Sequence, residues 1–204
     1  LFGTLAFIVI VFFTFYYIFS SLNKFEYEGL TFTKERFGEI PVFHYYYLYN
    51  FEEKQYQYNL YLRNDPRKNT VPITGRAVSG GIEFLIGNII YISVAPEGLV
   101  GCEYGSVGIS NLATFLRDNQ LKVKGASPDE KLAKENNVEY ATCENHPNDV
   151  VILLKGGNET RVVLEKENCY VIEVANCEVL QAIEKFQVES ILDAKARRLS
   201  LKSN

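Results

Sequence analysis

The stretch "NIIYISVAP" (88–96), followed by "SVGISNLATFLRDN" (106–119) and "LKVKGA" (121–126), decides how this chain folds. Its first part is a run of β-branched and aromatic residues stopped by Pro96, and it reads as a buried strand. In the second part Val107, Leu112, Phe115 and Leu116 fall broadly on one side of a helix. The third part is a strand again. "SPDEKLAKENN" (127–137) then predicts a second helix, capped by Ser127 with Pro128 at its first position, which completes a βαβα unit.

Reading outward from that unit, "DVVILLKG" (149–156), "ETRVVLEKEN" (159–168) and "CYVIEVAN" (169–176) predict three strands joined by the turns "GGN" and "KEN". "EVLQAIEKFQVESILDAKARR" (178–198) closes the chain as an amphipathic helix. The order of elements over residues 88–199 resembles thioredoxin-like and other three-layer α/β domains, with a Rossmann-like alternation of strand and helix. That resemblance implies a mixed sheet within a three-layer head. It carries no activity with it.

Upstream the texture changes. "FEYEGLTF" (25–32), "VFHYYYLYN" (42–50) and "YQYNLYLRN" (56–64) alternate apolar with polar residues, and "NFEEKQ" (50–55) makes a polar turn, so a Tyr-rich β meander is expected. The Tyr ladder invites a binding platform for bases or sugars, but aromatic cross-strand packing at period two accounts for it. His44 falls in this ladder as a packed or surface histidine. "SGGIEF" (79–84) reads as a hairpin turn whose Gly80 and Gly81 need no ligand. The expected division is a hydrophobic helix over 1–24, a β-rich subdomain over 25–86 and an α/β head over 87–204.

The opening "LFGTLAFIVIVFFTFYYIFSSLNK" (1–24) is apolar, with no ionised side chain until Lys24. As a helix, residues 1–22 would reach roughly 33 Å, enough to span a hydrocarbon core of about 30 Å. Tyr16, Tyr17 and Phe19 fall where an aromatic belt meets headgroups. A secretory signal peptide would carry a basic flank and a small-residue cleavage site, and neither is found here. An apolar helix at the mature start resembles type IV pilins and their archaeal relatives, which lose a short basic leader before this segment. This chain departs from many bacterial members in lacking a glutamate near that start. The resemblance implies a filament core in which Gly3 and Ala6 make close helix contacts while Phe12, Phe13 and Phe15 fill the interior. A plain single-pass anchor is the competing expectation.

A formal charge of -4 with scattered basic residues gives no nucleic-acid surface. The resemblance to pilins implies copies of the chain itself as partners, with a membrane before or instead of assembly. Among four cysteines, Cys169 and Cys177 bracket a strand that would hold them about 26 Å apart, so they do not pair. Cys102 and Cys177 each follow a strand of the expected parallel set, and Cys143 and Cys169 precede one, which favours Cys102 with Cys177 and Cys143 with Cys169. Disulfides in turn point to an extracytoplasmic location.

Two sharper readings compete. "CENH" (143–146) spaces Cys143 and His146 as zinc ligands with Cys169 as a third, yet no second close pair completes a site. "GCEYGS" (101–106) offers a thiol oxidoreductase only Cys102, without C-x-x-C. No G-x-S-x-G elbow or Walker loop supports hydrolase or nucleotide chemistry, and neither a catalytic set nor a cofactor is expected.

"LYLRNDPRKNTVPI" (60–73) resembles uncharacterised N-terminally anchored archaeal surface proteins. Asn64, Asp65 and Pro66 make its turn, and Arg63 and Arg67 are candidates to pair with acids or with a neighbouring subunit. Asn158 begins the sole N-x-[ST] sequon, "NET", and is the expected glycosylation site.

Overall fold

A computed structural model describes residues 7, 9–14, 23–76, 80–85 and 87–202. The chain divides into two compact units, Leu1–Arg67 and Lys68–Asn204. The first falls short of the expected boundary at 86, because residues 73 and 74 join the sheet of the second unit.

In the first unit four antiparallel strands follow one another: β1 (Lys24–Tyr27), β2 (Leu30–Phe37), β3 (Ile40–Phe51) and β4 (Lys54–Leu62). Two-residue turns set the register. Glu28 and Gly29, and likewise Glu52 and Glu53, all take positive φ, the geometry that matches the twist of a hairpin. With that register Phe25 stands opposite Phe32, Tyr47 opposite Tyr58 and Tyr49 opposite Tyr56, with ring centroids 5.5 to 5.6 Å apart. Leu30, Phe32, Leu60 and Leu62 are buried on this same face. On the other face His44 stacks on Tyr61 at 4.5 Å, its Nδ1 lies 2.7 Å from Glu35 Oε1 and its Nε2 lies 3.1 Å from Asn59 Oδ1.

The second unit holds a seven-stranded mixed sheet in the order β5-β10-β11-β9-β6-β7-β8. Its strands are β5 (Ile73–Thr74), β6 (Ile89–Val94), β7 (Lys122–Ser127), β8 (Glu139–Tyr140), β9 (Val150–Gly156), β10 (Arg161–Lys166) and β11 (Cys169–Val174). Neighbours from β8 across to β11 are parallel, whereas β10 runs antiparallel to β11 and parallel to β5. Helices α1 (Gly105–Asp118), α2 (Glu130–Glu135) and α3 (Val179–Lys202) complete it. This is a mixed α and β architecture with two sheets.

Strands β9 and β11 are apolar almost throughout because both of their faces are covered. Tyr170 packs its ring 5.6 Å from Phe186 of α3, and Gly108 of α1 lets Ile183 of α3 approach so closely that a Cβ there would meet its Cδ1 at 3.1 Å. On the opposite face Tyr91, Ala126, Ala141, Cys143, Val151, Cys169 and Val171 form a second apolar cluster.

Three local expectations are corrected. Ser127 does not cap α2: it is the last residue of β7, paired with Tyr140, and Asp129 caps the helix by accepting from the Leu132 N–H at 2.9 Å. "GGN" does not close a hairpin, since β11 lies between β9 and β10. "SGGIEF" makes no hairpin across residues 80–84, where no strand forms. Asp193 holds that segment instead by accepting from the Ile82 N–H at 2.8 Å, while Arg197 donates to the Ile82 carbonyl at 2.8 Å. Arg76 pairs with Asp193 and with Glu189 of the same helix.

Among the described residues no helix is long and apolar enough to cross a membrane. Residues 9–14 are helical, Phe12 and Phe13 are exposed, and their rings meet edge to face at 6.0 Å. Gly3, Ala6 and Phe15, with most of the opening segment, lie outside the described residues.

Tyr170 supplies a test of how the 80–85 segment is held. Its hydroxyl donates to the Glu83 carbonyl at 3.0 Å and accepts from the Glu83 N–H at 2.9 Å. Tyr170→Phe should cost about 1–3 kcal/mol in a denaturant melt with an unchanged sheet signal. A variant as stable as the parent would show that the contact contributes nothing.

Candidate functional site

Parallel strands bring their carboxyl ends to one edge, and in this sheet the chain changes its direction of travel between β6 and β9, where ligands of open α/β sheets bind. Here that crevice is filled by the chain itself. The Ala95 N–H donates to the Leu154 carbonyl at 2.8 Å and the Gly156 N–H to the Glu97 carbonyl at 3.3 Å. A Cβ on Gly156 would meet the Glu97 oxygen at 2.6 Å and the Gly98 Cα at 3.0 Å, so only glycine fits this crossing. Beyond it the loop carries Cys102 to Cys177, and the two form a disulfide with Cα atoms 5.1 Å apart.

The second disulfide joins Cys143 to Cys169 at the opposite edge, with Cα atoms 5.6 Å apart. No cysteine is free. The two bridges sit in different surroundings: Cys143 and Cys169 are 5% and 1% exposed, whereas Cys177 is exposed and Cys102 half-buried. Asn176 and Cys177 also take φ of 50° and 60°, two successive left-handed residues that only a fully determined turn maintains.

The turn after β11 lines a polar cleft of about 410 Å³, together with residues 68–72 before β5 and 158–160 before β10. Asn69 is fixed within it, donating from Nδ2 to the Gln181 carbonyl at 2.8 Å and accepting from the Val71 N–H at 3.2 Å. Thr160 is buried at its rim, donating from Oγ1 to the Ala175 carbonyl at 3.1 Å and accepting from the Ala175 N–H at 3.0 Å. Asn158 is exposed in the same turn. Beneath, Glu173 pairs with Arg161 and, at 3.2 Å, with Lys155. The Arg161 hydrogen bond holds the Glu173 carboxyl below the usual carboxylate range against its partial burial, and Lys155 adds to the effect.

The zinc set is not assembled, because Cys143 and Cys169 spend their sulfurs on each other. His146 packs its ring 4.3 Å from Tyr91, with Nε2 3.2 Å from the Tyr140 carbonyl. Glu165 Oε2 lies 3.5 Å from Cys169 Sγ, and since a disulfide sulfur carries no proton this is a contact and not a hydrogen bond. Asp65 accepts from Arg67 Nε at 2.9 Å and from Nη2 at 2.6 Å, and the guanidinium covers the Phe25 ring at 3.8 Å. Arg67 therefore bridges its own turn to β1, and its bond to Asp65 holds that carboxyl below its ordinary range. Arg63 is exposed at the end of β4. The polar cleft went unread in the sequence because it joins residues 68–72 to residues 158–181, far apart along the chain, and the insertion of β11 between β9 and β10 went unread because local pattern does not give the order of neighbouring strands.

No protein-family model, curated protein or solved structure matches this chain.

Two outcomes follow from this geometry. Limited reduction with a thiol-blocking reagent present should label Cys102 and Cys177 before Cys143 and Cys169, as read by peptide mapping; the reverse order would mean that burial does not govern access. Separately, the folded Glu173 carboxyl titrates below its unfolded value, so its stabilisation is present above about pH 4.3 and is lost as pH falls through the folded pKa. Glu173→Gln should flatten the fall in melting temperature on acidification below that point, and an unaltered acid limb would exclude this ion pair as a cause.

Proposed function

We propose that this chain is an extracytoplasmic structural protein, a subunit of a pilus-like cell-surface filament that assembles through its hydrophobic N-terminal helix. The observation that carries the reading is the junction of two chemistries in one chain. An apolar run without an ionised side chain through Asn23 precedes a domain closed by two disulfides, which form and persist in oxidising compartments. An apolar surface of that length cannot face water, so it packs against lipid or against copies of itself. In the filament Gly3 and Ala6 make the close helix contacts, and Phe12, Phe13 and Phe15 fill the core. Membrane lipid holds the helix before assembly.

A second reading from another class is a single-pass membrane-anchored module whose head binds a ligand or exchanges thiols. The polar cleft beside the Cys102–Cys177 bridge, of which Cys177 is exposed, favours it.

Full-length protein from native membranes separates the two. The filament reading expects polymers that survive detergent and appear as fibres by electron microscopy, and Phe12→Lys should abolish them. Detergent-released monomers without fibres would overturn it in favour of the anchor.

A further inference from the structure

The sequon at 158–160 lies in the connection that passes over the carboxyl end of β11. Its two functional side chains are treated in opposite ways by the fold. Asn158 is exposed at the rim of the polar cleft, whereas Thr160 is 7% exposed, with its hydroxyl both donating and accepting at Ala175. The Gly157 N–H also donates to the Val174 carbonyl at 2.9 Å, and a Cβ on Gly157 would meet the Glu173 Cβ at 3.2 Å, so the connection is seated directly on β11.

A sequon acceptor needs both parts: the amide that receives the sugar, and the hydroxyl two residues on that the transferase reads. We infer that Asn158 is an N-glycosylation site open only before the head folds, and that its first sugar then sits over the cleft lined by Asn69, Asn176, Glu178 and Gln181. The inference rests on the exported reading of the head and is independent of filament assembly. In the transfer, Asn158 Nδ2 bonds to the anomeric carbon of a sugar carried on a lipid phosphate. The bond from that carbon to the phosphate oxygen breaks, the phosphate leaves with the electron pair, and the amide proton passes to the transferase base. Once β11 is in place, the Thr160 hydroxyl is engaged at Ala175 and the turn cannot be drawn into an extended acceptor. The cleft, at about 410 Å³, is within the size range of small-ligand sites, and its amides and carboxylate suit sugar hydroxyls.

The test translates the full chain into glycosylating membrane vesicles, either in reductant, which keeps the disulfides open, or with the oxidised, folded chain in detergent offered to the same transferase and donor. Modification is read as a mass increase absent from Asn158→Gln and from Thr160→Val and retained in Thr160→Ser. The expected result is modification of the nascent chain and none of the folded one. Enzymatic removal of the sugar should also run about tenfold slower on the folded glycoprotein than after reduction and unfolding. Equal modification of the folded chain would overturn the gating, and equal removal rates would overturn the seat in the cleft. A head shielded from added protease by the vesicle yet unmodified overturns the site alone. A head left outside overturns the exported reading, and the inference with it.

Discussion

The pairing of β11 with β9 on one side and β10 on the other is the constraint on which the second unit depends. Because β11 is parallel to β9, from Cys169 opposite Val151 to Val174 opposite Gly156, the two cysteines that bracket it emerge at opposite edges of the sheet. Each then meets a partner delivered by a different connection. The same insertion forces the chain between β9 and β10 to cross the end of β11, and that crossing produces the buried Thr160, the exposed Asn158 and one wall of the cleft. Without this register neither pair of cysteines would be brought within bridging distance, and the cleft would lose one wall.

The rest of the unit is arranged to keep that centre dry. Helices α1 and α3 cover one face, and they approach closely because Gly108 presents no side chain to Ile183. Residues 80–85 have no ladder of their own and are held by side chains of α3 together with Tyr170. Burial raises the Tyr170 phenol above its ordinary pKa, which keeps it a neutral donor over the working range. The ion pairs of Arg76 with Asp193 and Glu189 stand at the border of this region. Burial there opposes the charge on Arg76, and the bond to Asp193, aided by Glu189, outweighs it.

The first unit solves a different problem. A single meander has little interior, so its stability comes from aromatic rings facing one another across strands and from turns that bring them into register. Glu28 and Glu53 take left-handed φ in two of those turns without being glycine. Side-chain packing along β3 and β4 therefore outweighs the local preference of the turn residues.

Much of this was legible in the amino-acid order, because period and composition are local properties. The 3.6-residue spacing of Leu112, Phe115 and Leu116 marked α1, alternation marked the meander, and unbroken apolar runs marked the buried strands. Strand direction was enough to associate Cys102 with Cys177 and Cys143 with Cys169. The misread places share one cause. Ser127 looked like a cap until β8 paired with it, "GGN" looked like a hairpin until β11 entered between its strands, and "SGGIEF" looked like a turn until Asp193, far along the chain, took its N–H group. By itself the sequence determined which segments are strands and helices and which are apolar, because those depend on neighbours a few residues away. Only the tertiary structure decided which strand lies beside which, what the polar side chains of the turns bond to, and where a cleft opens, because each of these depends on groups that neighbouring residues alone do not bring together.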